Sequence, residues 1–469
     1  MTMPPTRSRS LRTALGSASE CAGRFLWGIR SEVSLSALLT GSCLAGNSRA
    51  LADRCVLLST HDQLATAVAL IELDGVARRM IVCPPGVDDD HLQTIIETAG
   101  VDAVVSDSGI PTASTATVGM HVGCDATVRA NADLPTFERQ TEWILLTSGT
   151  SGKPKMVRHD LSTLTAAIKS REAKLNEIVW GTFYDIRRYG GLQIFLRAIL
   201  GTGSLIVSSV DEPPTEYLNR LGAHGATHVS GTPSHWRSAL WSPAIATISP
   251  RYVRLSGEIA TQAVLDTLRN TFPNAGLTHA FASTEAGVGF TVTDGLEGFP
   301  AEVIGQHDDV SIKVENGSLR IRSSGNAFEY LGTGQSAIRD ADGFVDTGDI
   351  VELRDQRFYF LGRTNGVINV GGLKVHPEEV EGIINRHPRV EVSFVRPKRN
   401  PILGSVVVAD VTLKAGLGNE TDSEHIRQLK QDIIQLCSGS LAQHKVPVMI
   451  NVVSELSPGA TGKMVRRNA

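Results

Sequence analysis

Between Arg54 and Asp107 the chain alternates short apolar runs with amphipathic segments. "CVLLST", "RRMIVCPP" and "VDAVVSD" read as buried strands, and "HDQLATAVALIELDG" and "DDDHLQTIIETAG" between them carry helical spacing. Such alternation predicts parallel βαβ units. Asp88 to Asp90 beside His91 have metal-ligand chemistry, but carboxylates at a helix start are favoured by the helix dipole, and that reading is preferred. Next, "TEWILLTSGTSGKPKMVRHD" reads as an apolar strand, a glycine-rich loop and a basic exit, with a helix expected from about Leu161 to Lys174. "GSLIVSS", "ATHVSG" and "YVRLSG" are further strand-like runs that end in Gly or Ser near a turn, where ligands gather in folds of this kind.

The texture changes near "FYFLGRTNGVINVGGLKVHPEEVEGII". "RFYFLG" closes a strand, "RTNG" breaks the pattern, and a helix starts at Pro377 with Glu378 and Glu379 in its first turn. The remainder, with strands in "EVSFVRP" and "SVVVADVTL" and a helix in "TDSEHIRQLKQDIIQLCSG", predicts a small α+β domain of roughly a hundred residues. The expected fold is therefore α/β: a large N-terminal domain of βαβ layers with parallel sheets, residues 1–362, and a smaller C-terminal domain, residues 367–469.

Composition bounds the function. With 469 residues, 41% of them hydrophobic, the chain exceeds one compact domain. A formal charge of -4 exerts no general pull toward nucleic acid or an anionic membrane, so any anion site must be local. The six cysteines, Cys21, Cys43, Cys55, Cys83, Cys124 and Cys437, form no CxxC pair, which argues against zinc or a disulfide framework and for a reducing, cytoplasmic setting. "GGLQIFLRAILGTGSLIV" is interrupted by Arg197 and glycines and is too short to span a bilayer. The first thirty residues hold five arginines against Glu20, a weak resemblance to a transit peptide; a mobile end followed by a docking helix is the preferred expectation.

"TSGTSGKPK", Thr147 to Lys155, is either a solvated linker or an anion loop. Between a buried strand and a helix, such a loop can aim backbone N–H groups, hydroxyls and ammonium groups at one polyphosphate. The GxxxxGK[ST] pattern is absent, since Pro154 stands where its second glycine would be. In the form [ST]SGTSGKPK the loop resembles the signature of adenylate-forming enzymes: acyl-CoA synthetases, adenylation domains of nonribosomal peptide synthetases and firefly luciferase.

Further segments match that superfamily in order. The resemblance implies that Thr147, Ser148, Gly149, Thr150, Ser151, Gly152, Lys153 and Lys155 grip the ATP phosphates. "VRLSGEIA" resembles the segment under the adenine, around Ser256, Gly257 and Glu258. "FASTEAG" resembles [YF]GxTE, which places Phe281 on adenine beside Ala282 and Ser283, Thr284 on the α-phosphate and Glu285 on Mg2+. "DTGD" gives Asp349 the ribose hydroxyls, and "GRTNGVINVGGLKVHPEEVE" gives Arg363 the ribose and phosphates, with a hinge at 363–366. "SPGATGKMVRR" makes Lys463 the catalytic lysine on a mobile C-terminal lid. Gly371 and Gly372 would line a pantetheine channel.

The implied activity is ATP-dependent conversion of a carboxylic acid to acyl-AMP and pyrophosphate, followed by transfer to coenzyme A. Loading of an acyl carrier protein's phosphopantetheine, or of another nucleophile, is the alternative, and a nucleotide-binding sensor a remote one. Four positions depart from the superfamily pattern: Asn365 at the pivot, Ala282 for glycine, and Arg187 and Arg188 before a Gly-Gly step. The arginine pair reads either as a reader of a second anionic group or as a solvated basic surface or a salt bridge. Trp180, Phe183, Tyr184 and Trp236 incline the expected acid toward an aryl or bulky one, although such rings serve equally as core.

Overall fold

The computed structural model describes residues 10–44, 46–108, 112, 114–131, 139–147, 154–168, 177–209, 211–332, 334, 336–400, 404–414, 423–454 and 456. Two sheets dominate. In the first, His121–Gly123, Ala103–Ser106, Cys55–Leu58, Arg79–Val82 and Glu142–Thr147 run parallel in that spatial order, and Lys155–His159 and Glu329–Leu331 extend the edge antiparallel. In the second, Gly276–Ser283, Tyr252–Ser256, His228–Gly231, Val179–Thr182, Ser204–Val207 and Phe25–Trp27 are parallel, with antiparallel Gly287–Val292 and Glu32–Ser34 at its edges.

Helix Gln63–Leu73 is buried on every side, as a helix apolar all round should be. Together with Tyr189–Leu200 it shares one core with residues of both sheets, including Val56, Leu58, Trp143, Leu26 and Leu205. Helices Pro214–Ala223, Pro233–Trp241 and Gln262–Thr271 cover the other face of the second sheet. Asp89–Ala99 packs on the first, its start capped by Asp88. The expected βαβ layers are thus present. A docking helix also follows the N-terminal end: Leu11 is buried and its N–H donates to buried Asp74 Oδ2 at 2.8 Å.

Three features depart from expectation. A six-stranded antiparallel sheet, with neighbours Phe299–Pro300, Arg357–Arg363, Val345–Arg354, Ser318–Arg322, Val310–Glu315 and Gly305–His307, adjoins the parallel ones. Its short half-buried strands carry little of the continuous apolar signal that marks parallel strands. The helix from Leu161 runs only to Thr165, where the Thr165 hydroxyl bonds back to the Leu161 carbonyl at 2.7 Å and competes with helix continuation. The stretch toward Lys174 from residue 169 lies outside the described residues. Finally, the glycine-rich segment connects two antiparallel strands, with Thr147 opposite Lys155, so no helix N-terminus directly follows it.

After Arg363, strands Ile368–Val370, Leu373–Val375, Val390–Asn400 and Gly404–Leu413 pair antiparallel, and Met449–Val452 joins parallel. Helices Pro377–Ile384 and Ser423–Ser440 close a separate core around Val380, Val395, Val407, Leu429 and Ile433. The architecture is α/β, with a large N-terminal part built on parallel sheets and a smaller C-terminal α+β part. Gly362, at φ 142°, lies between them, in a conformation that side-chain-bearing residues rarely adopt, and a Cβ there would also press on the Glu378 carboxylate.

Candidate active site

The edge strands of the two large sheets bring the motif residues together. Glu285 lies in the turn between Gly276–Ser283 and Gly287–Val292. Tyr330, on strand Glu329–Leu331, donates its hydroxyl to Glu285 Oε1 at 3.1 Å. The ring of the same tyrosine carries the Lys155 ammonium 4.8 Å from its centroid. The loop exit and the Glu285 carboxylate are therefore joined through one side chain. Burial first, then the Glu285 carboxylate and its hydrogen bond, push the Tyr330 phenol well above its ordinary range, while the charge of Arg363 opposes them. The phenol stays protonated and remains a donor.

The Thr284–Glu285 turn is held from three directions. Ser283 Oγ accepts from the Ala286 N–H at 3.0 Å, and the Glu285 carbonyl accepts from the Ala327 N–H at 2.9 Å. His159, fully buried, donates from Nε2 to the Thr284 carbonyl at 2.7 Å, and its Nδ1 faces Thr163 Oγ1 at 2.9 Å. Burial pushes this imidazole down to about 4, so it is neutral at working pH. A carbonyl can only accept, which places the imidazole hydrogen on Nε2. Arg339 braces the adjoining segment by donating to the Ala327 and Asn326 carbonyls.

Asp349 and Arg363 face one another across paired strands, with Arg363 Nε 3.4 Å from Asp349 Oδ1 and Arg363 Nη2 2.7 Å from the Thr347 carbonyl. Ser256 ends its strand and accepts the Tyr184 hydroxyl at its carbonyl, 2.7 Å away. Gly257 takes φ 87°, and Glu258 Oε2 accepts the Ser234 N–H at 2.9 Å in the first turn of Pro233–Trp241. Phe281 stacks near-parallel with Phe290 at 5.6 Å and Phe360 at 5.7 Å, just before a register shift that ends at Ala282.

Other expectations land elsewhere. Arg187 is fully buried in a salt bridge: Nε and Nη2 engage Asp185 at 2.8 and 2.9 Å, and Nη1 donates to the Thr60 and His61 carbonyls. With every nitrogen engaged, it does not read a second anionic group; Arg188 sits half-buried at the start of Tyr189–Leu200. Trp236 and Phe183 pack with Tyr217 and Phe272 on the far face of the second sheet, which removes them as indicators of an aryl acid. Gly371 and Gly372, at φ 57° and 88°, form the two-residue turn between Val370 and Leu373, so the hairpin itself requires them. Ser148, Gly149, Thr150, Ser151, Gly152, Lys153 and Lys463 lie outside the described residues.

Tyr330 and His159 were missed by sequence reasoning. Tyr330 belongs to none of the quoted motifs and becomes visible only when its strand pairs with Lys155–His159. His159 offered a weak signal, a polar residue closing an apolar strand directly after the loop.

The model of the AMP-binding enzyme family matches residues 57–327, and that of the AMP-binding enzyme C-terminal domain matches residues 379–463. The chain belongs to the AMP-binding enzyme family. A 2-succinylbenzoate–CoA ligase of Bacillus velezensis is 22% identical over 435 residues, covering 89% of this chain and 82% of the relative. A 3,4-dihydroxybenzoate–[aryl-carrier protein] ligase of Bacillus anthracis is 25% identical over 323 residues, covering 68% and 71%. Among solved structures, the anthranilate CoA ligase AuaEII in complex with anthranoyl-AMP superposes with a TM-score of 0.78 at 17% identity, covering 98% of this chain and 96% of that one. The resemblance carried by these six segments is thereby borne out: this AMP-binding enzyme is an AMP-forming ligase that adenylates a carboxylic acid.

Glu285 suits magnesium. Among the described residues no group of three His, Cys, Asp or Glu side chains gathers as a metal cage. Magnesium is usually held by one or two carboxylates with substrate phosphates and water, so a single braced carboxylate joined through Tyr330 to Lys155 fits it. Since Tyr330 orients that carboxylate, Tyr330→Phe should lower acid-dependent pyrophosphate exchange by about 10-fold and raise the magnesium requirement, in line with the loss of one hydrogen bond to a charged group. Exchange measured across a magnesium titration checks this, and an unchanged profile would show that Glu285 needs no such brace.

Proposed function

We propose that this AMP-binding enzyme activates a small carboxylic acid with ATP and passes the acyl group to coenzyme A. The link Lys155–Tyr330–Glu285 carries the reading, because it couples the end of the phosphate loop to the carboxylate suited to magnesium. Residues Thr147 to Lys155 bind the β- and γ-phosphates that leave as pyrophosphate, Thr284 the α-phosphate, and Asp349 with Arg363 the ribose. Phe281 and the segment Ser256 to Glu258 flank the adenine. Magnesium on Glu285 supplies charge neutralisation at the phosphates. The substrate carboxylate attacks the α-phosphorus and pyrophosphate departs. No protein nucleophile is required, so the residues act by alignment and electrostatics.

Lys463 attends the reacting carboxylate and phosphate oxygens. Residues 363–366 form the hinge between domains 1–362 and 367–469, and rotation about it exchanges Lys463 for the thioester-forming face. Similarity to an aryl-carrier protein ligase favours a second reading, in which a carrier protein's phosphopantetheine takes the acyl group. Two measurements decide: acid-dependent exchange of pyrophosphate into ATP across a panel of acids, then AMP release with coenzyme A. Exchange without CoA-dependent turnover selects the carrier reading, and no acid-dependent exchange in a protein that binds ATP rejects adenylation. Among the described residues no helix is long and apolar enough to cross a membrane. The cytoplasmic setting in this proposal rests on the cysteine usage and on the small-molecule chemistry.

A further inference from the structure

Among the described residues, one buried cation near this site lacks a counter-charge. Alternation along Tyr252–Ser256 sends Val253 and Leu255 into the core under Pro233–Trp241 and Gln262–Thr271, and Tyr252, Arg254 and Ser256 to the opposite face. Arg254 is only 8% exposed. Among the described residues its hydrogen-bond partner is the Tyr252 hydroxyl, 3.4 Å from Nη1, and no carboxylate forms an ion pair with it. Arg187, Arg220 and Arg24 are by contrast saturated. Arg187 has Asp185 and two carbonyls, Arg220 has Glu212 and two carbonyls, and Arg24 donates to the Gly203, Ala198 and Ile199 carbonyls.

The neighbours of Arg254 are polar. In register on the adjacent strands stand Ser230 and Thr278. Ser230 is fully buried, with its hydroxyl against the Tyr184 phenol. Thr278 shares its hydroxyl with Tyr252 Oη at 2.8 Å. Burial alone would push the Tyr252 phenol up, yet the charges of Arg254 and Arg197 and the hydrogen bonds from Thr278 and Arg254 hold it below its ordinary value. The local potential is thus positive. Beyond Thr278, the next residues on this face of the adjacent strand are Ala280 and Ala282, which project only a methyl group. At about 3.3 Å per residue, Arg254 lies ~7 Å along the strand from Ser256 and the carboxyl ends where adenylation takes place.

Given the adenylation reading, on which this rests, we propose that Arg254, with Ser230 and Thr278, receives a second anionic group of the acid being activated. The preferred substrates are then compact carboxylic acids that carry a second carboxylate a few bonds from the reacting one. A guanidinium offers a planar pair of donors matched to a carboxylate, and a buried cation without a partner gains most from one. An acid without the second group would leave these donors unpaired and be rejected accordingly.

The test uses the full-length protein and matched acids with and without a terminal carboxylate: butyrate with succinate, hexanoate with adipate, benzoate with phthalate. In pyrophosphate exchange, kcat/KM should favour a dicarboxylate over its partner by about 100-fold. Arg254→Gln should remove at least 10-fold of that preference through KM for the acid, Arg254→Lys should restore part of it, and KM for ATP should stay within twofold. If the glutamine variant fails to fold, the wild-type preference decides alone. Equal or better use of the monocarboxylates by the wild type would overturn the inference while leaving adenylation intact, as would a preference that survives Arg254→Gln. Exchange with no acid of either kind, in protein that still binds ATP, would overturn adenylation and this inference together.

Discussion

Lys463→Ala should reduce acid-dependent pyrophosphate exchange by 10²-fold or more while leaving thioester formation from supplied acyl-AMP near the wild-type rate. The magnitude follows from removing one charged donor at the point where negative charge gathers, between an incoming carboxylate and an α-phosphate. Lys463 is the last residue matched by the family's C-terminal domain and sits in the "GK" of "SPGATGKMVRR". The asymmetry between half-reactions is the informative part. A lysine that serves only adenylation is dispensable once the acyl-AMP exists, whereas a lysine that holds the fold together would be missed in both. Both rates are measured on one preparation, by exchange and by CoA consumption. Equal losses would reject the assignment of Lys463 to the first half-reaction.

Glu285→Gln should also cost about 10²-fold in exchange, and the loss should be greatest at low magnesium. The amide still accepts from the Tyr330 hydroxyl, which now lies 3.1 Å from Glu285 Oε1, so the turn braced by Ser283, His159 and Ala327 should persist. What disappears is the negative charge, and with it the protein's share in holding the cation on the phosphates. A melting temperature within a few degrees of wild type, combined with a steeper magnesium dependence, separates the charge effect from unfolding. Exchange that remains normal at limiting magnesium would move the metal away from Glu285. Compared with Tyr330→Phe, which keeps the charge and removes its brace, the glutamine variant should be the more damaging.

Much of this is legible in the order of the residues. Parallel strands buried on both faces read as continuous apolar runs, so "CVLLST" and "RRMIVCPP" identify themselves, and helix starts carry their caps. The motif residues Thr284, Glu285, Asp349 and Arg363 are also readable, because each sits in a short segment of recognisable order. Three readings require the folded chain. Arg187 and Arg188 look equivalent in sequence, yet Asp185 and two backbone carbonyls consume Arg187. Trp236 looks like pocket lining and is core. The two glycines of "VGGLKV" form a tight turn that becomes visible only when their flanking strands pair.

The sequence by itself determined the layered α/β architecture and the adenylate-forming chemistry, and it nominated the groups proposed to carry that chemistry. Those properties are written in local periodicity and in short ordered motifs. Only the tertiary structure decided how the groups are held: that Tyr330 joins Lys155 to Glu285, that neutral His159 clamps the Thr284 turn, and that Arg254 is a buried cation without a carboxylate partner among the described residues. Each depends on strands far apart in the chain coming into register, and on which charges are desolvated when they do. Such pairings are settled by the energy of the whole fold, and no window of neighbouring residues contains them.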